Sequence, residues 1–213
     1  MLAHANEVAT HKPMGLLSHI EPRFPAELRG NMSGDGQVVA ALTIGVEGQV
    51  LDCVALEATR IEFAEAVVNA VIQWRFTPAA VNPILRREVV QFDFKRNGVV
   101  TTLQHAEAAQ QAFISTVQAQ LRTVPLVQLD DEPKRIATVM PKLSKERLAA
   151  LTGPLMVNFV IDRDGIVRVP VVTTNDAAVA KTVLEAVTQW RYSPPLQQGV
   201  PVLVEMTRSL VVP

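Results

Sequence analysis

The sequence predicts an α+β fold of two repeated β-β-α-β units, each a three-stranded antiparallel sheet of order 2-1-3 with one helix packed on it. Three observations lead there. Residues 64–79, AEAVVNAVIQWRFTPA, reappear in diverged form as residues 180–195, AKTVLEAVTQWRYSPP. Upstream of each lies an alternating apolar stretch interrupted by a glycine turn, the pattern of a β-hairpin. Downstream of each, a further strand-like run closes the unit.

The two segments share Ala64/Ala180, Val67/Val183, Ala70/Ala186, Val71/Val187, Gln73/Gln189, Trp74/Trp190, Arg75/Arg191 and Pro78/Pro194. Gly36 and Gly48 stand twelve residues apart, as do Gly153 and Gly165, and one residue of slippage before the helix keeps the rest in register. Similarity at a fixed offset reads as tandem duplication. A chain of 213 residues is long enough for two small domains with a core each. The boundaries expected are an N-terminal tail over 1–20, a first unit over 21–97, a helical linker over 98–132 and a second unit over 133–213.

In the first unit, Pro22 to Leu28 forms the lead-in. Val38, Ala40, Leu42 and Ile44 then alternate with Val39, Ala41 and Thr43 as a first strand, Glu47-Gly48 turns the chain, and Val50 to Leu56 returns. Phe63, Ala66, Val67, Ala70, Val71 and Trp74 fall on one helical stripe, and Pro78 stops the helix. The third strand runs from about Arg86 to Lys95. Gln104 to Arg122 is read as a connecting helix, because Ala106, Ala109, Phe113, Val117 and Leu121 recur at three- and four-residue steps.

The second unit repeats the series. Pro141 to Leu148 leads in, Leu155 to Ile161 and Ile166 to Thr173 flank the turn Asp162-Arg163-Asp164-Gly165, and Val179, Val183, Ala186, Val187 and Trp190 form the stripe. Pro194 ends the helix, and the last strand spans about Val200 to Val211. A right-handed crossover sets the third strand beside the first. Pro170 agrees, because a strand proline is tolerated mainly at a sheet edge.

With 20 basic against 21 acidic residues and no basic stripe, nucleic acid is not expected as a partner. No run of eighteen apolar residues occurs, so no membrane-spanning helix is expected within the chain. Asp162-Arg163-Asp164-Gly165 lacks the onward ligands and terminal Glu of a calcium loop and reads as a plain turn. His4, His11, His19 and His105 show no metal-ligand spacing with one another or with Cys53, and are read as solvated. Cys53 is read as a small buried hydrophobe in a strand. Without a nucleophile elbow or a phosphate-binding glycine loop, no catalytic residue, metal or cofactor is assigned. Trp74 and Trp190 are weighed as core anchors against a ligand-stacking pair, with the core reading preferred. Arg75 and Arg191 are placed on the last helix carbonyls.

The helix exits Trp74-Arg75-Phe76-Thr77-Pro78 and Trp190-Arg191-Tyr192-Ser193-Pro194, with the proline-aromatic-proline lead-in and the glycine-turn hairpin, resemble the C-terminal domain of TonB-type energy transducers. Two copies would cover about 22–96 and 133–213. The resemblance implies a non-catalytic periplasmic module that grips an extended segment of an outer-membrane TonB-dependent transporter by adding it as a strand. Duplication, and the lack of a membrane helix and proline-rich spacer in this chain, depart from that family. Ala3-His4-Ala5 fits a signal-peptidase site, so export is expected, with the signal or anchor segment missing from this chain. The binding residues expected are the third-strand edges: Arg86, Glu88, Val90, Gln91 and Phe92 in the first unit, and Val202, Val204 and Met206 in the second. External binding is expected at the charge-flanked first edge, with the more apolar second edge covered internally. The alternative is a structural protein whose duplicated units pair with each other; a homodimer stays open.

Overall fold

The computed structural model describes residues 15–28, 35–78, 85–95, 98–104, 121–151, 153–174 and 176–210. It is a mixed α+β structure dominated by strands. The first half contains β1 (Leu16–Ser18), β2 (Gly36–Ile44), β3 (Val50–Ala58), α1 (Ile61–Val71), β4 (Arg75–Phe76), β5 (Arg86–Lys95) and β6 (Gly98–Gln104). The second contains β7 (Arg135–Ala137), α2 (Lys145–Ala150), β8 (Leu155–Ile161), β9 (Val167–Val172) and α3 (Ala177–Val187), then β10 (Arg191–Tyr192), β11 (Leu196–Gln197), β12 (Val200–Pro201) and β13 (Val204–Leu210).

Two main antiparallel sheets result, a four-stranded one of order β3-β2-β5-β6 and a three-stranded one of order β13-β8-β9. Each places the first hairpin strand in the middle, because the helix crossover returns the chain beside it. The second sheet has the expected three strands. In the first, β6 adds a fourth, taken from residues expected to begin a helical linker. Val99, Val100, Thr101 and Thr102 are β-branched, and such side chains pack well on a pleated surface. The remainder of the expected linker helix, 105–120, lies outside the described residues, as do Ala3-His4-Ala5, His4, His11 and His105.

The two longer helices, α1 and α3, each cover the inner face of one sheet. Phe63, Val67 and Val71 of α1 meet Val38, Ala40, Leu42, Val90 and Phe92; Val179, Val183 and Val187 of α3 meet Val157, Phe159, Val204 and Met206. The two tryptophans sit at the ends of these cores with 0% and 1% exposure, as the stripe predicts. Burial of an indole leaves its N–H needing an acceptor. The lead-ins, which in the structure extend upstream of Pro22 and Pro141 to Leu16 and Arg135, provide it: Trp74 Nε1 donates to Ile20 O at 2.9 Å and Trp190 Nε1 to Val139 O at 2.8 Å.

The lead-ins also form short strands that the sequence did not reveal. β1 pairs with β4, and β7 pairs with β10, both antiparallel. Thus part of the expected N-terminal tail is structured, and exposed His19 meets Trp74 edge-on at 6.0 Å. The helix exits further bind the hairpin turns: Phe76 N–H donates to Gly48 O at 2.7 Å and Tyr192 N–H to Gly165 O at 2.9 Å. Gly48 and Gly165 have φ of +84° and +77°, and a Cβ on either would stand 1.9 or 2.0 Å from the carbonyl oxygen of Phe76 or Tyr192. Only glycine satisfies both conditions.

The outer faces of the sheets bury each other. Val39, Ala41, Val54, Leu56 and Val89 of the first sheet cluster with Val160, Val169 and Leu203 of the second half, with Leu121 at the margin. Alternation along β2 therefore serves two apolar surfaces rather than one apolar and one wet.

Candidate functional site: the sheet edges and the seam between them

A strand edge exposes backbone donors and acceptors, so each sheet end must be paired, covered or guarded. The four ends here are treated differently. On β3, Ala58 exchanges hydrogen bonds with Leu121 at 2.8 and 3.2 Å. Thr123 Oγ1 donates to Leu56 O at 3.0 Å, and Arg168 Nη2 to Cys53 O at 3.3 Å. That end is closed by the connecting chain and the other half.

On β9, the end of the second sheet, Pro170 removes a donor and Val169 adopts φ +41°. The pairing with β8 is irregular between Asn158 and Val160. This matches the edge position inferred from Pro170. The edge does not face solvent: Val169 and Pro170 are buried, and Val169 N–H donates to Asp52 Oδ2 at 3.1 Å.

Asp52 is the centre of one polar clamp across the seam. Arg168 Nε donates to its Oδ2 at 3.0 Å and Arg168 Nη2 to its Oδ1, while Asp162 Oδ2 lies 3.6 Å from Arg168 Nη1. The Asp52 hydrogen bond, ahead of the Asp52 and Asp162 charges, raises the Arg168 pKa above its ordinary value against the opposing effect of burial. A second clamp stands on the other side of the apolar patch, where Arg87 Nη1 donates to Asn158 Oδ1 and Glu205 Oε1, both at 2.7 Å.

Of the two third strands expected to be edges, β5 is not one. In the first half β5 is interior, paired to β2 on one side and to β6 on the other from Val89↔Gln104 to Lys95↔Gly98. Val90, Gln91 and Phe92 therefore offer no open edge. Val90 and Phe92 are core residues at 0% exposure, and Gln91 is buried with its amide 3.3 Å from both Asp93 oxygens. Arg86 and Glu88 lie beyond the end of the β6 pairing, with Arg86 Nη2 donating to Thr77 O at 3.0 Å.

In the second half β13 pairs with β8 alone along Val204–Leu210, among the described residues. The 3-10 turn Leu126–Gln128 lies against this strand. Val124 N–H donates to Leu203 O at 2.8 Å at one end, and Glu132 pairs with Arg208 near the other. The side chains of Val204 and Met206 point into the core under α3, so this edge offers backbone. Val202 precedes the strand, its N–H donating to Pro195 O at 2.9 Å.

The remaining assignments take structural positions. Arg75 Nη1 donates to Trp74 O at 2.9 Å, and Arg191 Nη1 to Trp190 O at 2.7 Å and Thr188 O at 3.1 Å, so both bind helix-exit carbonyls. Pro78 and Pro194 are exposed just past those exits. Asp162 Oδ1 accepts the Asp164 and Ile166 N–H groups at 3.0 and 2.9 Å, the hydrogen bonding of a turn. Cys53 is buried, and burial first, then the Asp52 charge, pushes its thiol pKa up to about 12. A thiolate nucleophile is therefore disfavoured there. Among the described residues no group of three His, Cys, Asp or Glu side chains is placed to hold a metal ion. No helix among them is long and apolar enough to cross a membrane.

Residues 144–211 match the family model for the Gram-negative bacterial TonB protein C-terminal. Neither a curated protein nor a solved structure matches the chain. The matched stretch begins just before α2 and reaches past β13, so it takes in the second sheet, α3 and the edge described above.

Proposed function

We propose that this chain is a non-catalytic protein-binding module of the bacterial cell envelope, acting in the periplasm and gripping an extended segment of an outer-membrane TonB-dependent transporter at β13. The observation that carries this reading is the backbone edge of Val204–Leu210, which lacks a second strand among the described residues and lies inside the TonB-like stretch. A chain added there gains main-chain hydrogen bonds without displacing core side chains. Glu205 and Arg208 on the same strand are already paired with Arg87 and Glu132, so an added chain is held through its backbone rather than chosen by these charges.

The first half supplies the platform. Units 21–97 and 133–213 are read as duplicated TonB-C-like domains, supported by the shared Trp-Arg-aromatic exits and by the matching indole-to-carbonyl and turn-to-exit hydrogen bonds. One unit has kept an edge for a partner, and the other has used its outer face to hold the first in place. The alternative, a structural protein whose two units exist to pair with each other, draws support from the seam itself.

Titration of the isotope-labelled chain with a transporter-derived peptide separates the two. Amide shifts should concentrate at 204–210. Consecutive strand residues direct their N–H groups to opposite sides, so one of Thr207→Pro and Arg208→Pro removes an outward donor and should abolish binding while the fold survives. Saturable binding that leaves the 204–210 amides unmoved would refute β13 as the site. Absence of binding to transporter segments of every charge would favour the structural alternative.

A further inference from the structure

Beside the seam, the hairpin turn of each half stands across a groove from the helix of the other, and the repeat lets the two grooves be compared position by position. Val46 and Leu51 of the first hairpin stand where the second has Arg163 and Arg168, and Lys181 and Leu184 of α3 stand where α1 has Glu65 and Val68. The groove against α1 is charged, with Glu65, Asp162, Arg163, Asp164 and Arg168 in its lining. The groove against α3 is aliphatic: Val46 and Leu51 line it from the hairpin, Ala178 and Leu184 from α3, and Leu85 from just before β5. It holds about 540 Å³, within the usual range of ligand pockets. Val46 and Leu51 are 38% and 50% exposed. Arginine occupies both equivalent positions, so the turn itself does not demand apolar residues, and their exposure leaves apolar surface that an occupant takes out of water.

We propose that this groove binds a free aliphatic carboxylate, with the alkyl chain on Val46, Leu51 and Leu85 and the carboxylate on Lys181. Its described lining carries no aromatic ring on which a planar ligand could stack. It also gives a peptide little backbone to pair with. Gly45 N–H already donates to Gln49 O at 2.8 Å and Gly48 N–H to Gly45 O at 2.9 Å, and beyond its capped first turn the α3 amides are bonded along the helix. A main chain laid there would bury unpaired groups, whereas an alkyl chain has none. Lys181 is the one cation among the described lining residues. Its Nζ lies 4.0 Å from Glu185 Oε1, with the side chains 78% and 65% exposed, and so exposed a pair is weak enough for Lys181 to turn to a carboxylate. None of the lining residues belongs to β13, so this site stands whether or not β13 accepts a strand.

Titration of the isotope-labelled full chain with decanoate, kept below the concentration at which it forms micelles, tests the proposal. Binding should saturate, with amide shifts concentrated at 45–51, Leu85 and 177–188. Val46→Asp and Leu51→Asp, both at exposed positions, should each weaken binding by at least about tenfold. Lys181→Gln should weaken decanoate binding by about two- to fivefold and leave decanol binding unchanged, which separates the head group from the chain. Absence of saturable binding, binding that survives both aspartate variants, or equal loss of decanoate and decanol in Lys181→Gln would each overturn the proposal. Amides of this groove that answer to phosphatidylglycerol vesicles or to a transporter-derived peptide in place of decanoate would assign it to a membrane or a protein partner instead.

Discussion

The halves of this molecule agree in what they bury and differ in what they leave at their edges. Each clamps its indole N–H to a lead-in carbonyl and docks its aromatic exit on a glycine turn. At the edges and caps the likeness ends. The first half seals its third strand under β6, whereas in the second β13 is paired on one side among the described residues. The second caps its helix with Asp176, which accepts from Ala178 and Val179 N–H at 2.8 and 3.1 Å, while Arg60 at the same place in the first makes no side-chain cap bond. Interior packing tolerates few solutions, so it keeps its residues. An edge can be altered by adding one strand, so it is where the halves differ most.

The buried rings provide the strongest test of the equivalence. Trp74→Ala and Trp190→Ala should each cost about 3 to 5 kcal/mol in denaturant unfolding, through lost contacts, a residual cavity and an orphaned lead-in carbonyl. If the seam couples the halves, either variant should still unfold in one transition. Two separated transitions, with only the mutated half destabilised, would show that each half folds by itself.

Next in size are the turn glycines. Gly48→Ala and Gly165→Ala should each lower stability by roughly 1 to 3 kcal/mol from the positive φ alone. The contact of the new Cβ with the Phe76 or Tyr192 carbonyl adds to that. A small loss at one and a large loss at the other would mean that only one half relies on turn-to-exit docking.

The seam comes third. Asp52→Ala removes acceptors from both Arg168 and Val169 N–H, and the Asp52 and Arg168 side chains are 26% and 33% exposed. Partial solvent screening keeps the expected loss to about 1 to 2 kcal/mol. A double-mutant cycle with Arg168→Ala measures the coupling. Zero coupling would mean that the apolar patch alone holds the halves together.

The hairpins, the helices α1 and α3, the order 2-1-3 within each sheet and the stoppers Pro78 and Pro194 were legible because each rests on local periodicity or on a backbone restriction written into the residue. β6 was not, since GVVTTLQ precedes a helical stripe and its pairing to β5 depends on contacts outside its own run. The lead-in strands β1 and β7 escaped for a related reason: three residues have no period, and the demand for them comes from Trp74 and Trp190 far along the chain. A buried tryptophan needs an acceptor, and that need was the available signal. The seam was half visible. Val39, Ala41, Val54 and Leu56 made both faces of the first hairpin apolar, yet nothing in the pattern named Asp52 and Arg168 as partners across 116 residues.

The smallest expected effect bears on a charge that the first half alone carries. Glu57 lies in β3, and the second half has Thr173 or Thr174 at that position, whichever side of the slippage is used. Burial raises the Glu57 pKa above the ordinary carboxylate value, the nearby Arg122 charge opposing it, and its Oε2 is buried without a hydrogen-bond partner among the described residues. The folded chain thus holds this proton more tightly than the unfolded chain does. Its stabilising contribution is full below the ordinary carboxylate range and is lost as pH rises through that range to the raised folded value. Glu57→Gln keeps the shape and never ionises. The variant should therefore be more stable than the wild type at about pH 7, with the difference shrinking toward about pH 3.5, where both side chains are neutral. Urea midpoints at the two pH values measure it. A wild type more stable at neutral pH would show that attraction to Arg122 outweighs the cost of burial, and that this charge helps hold the connecting chain against β3.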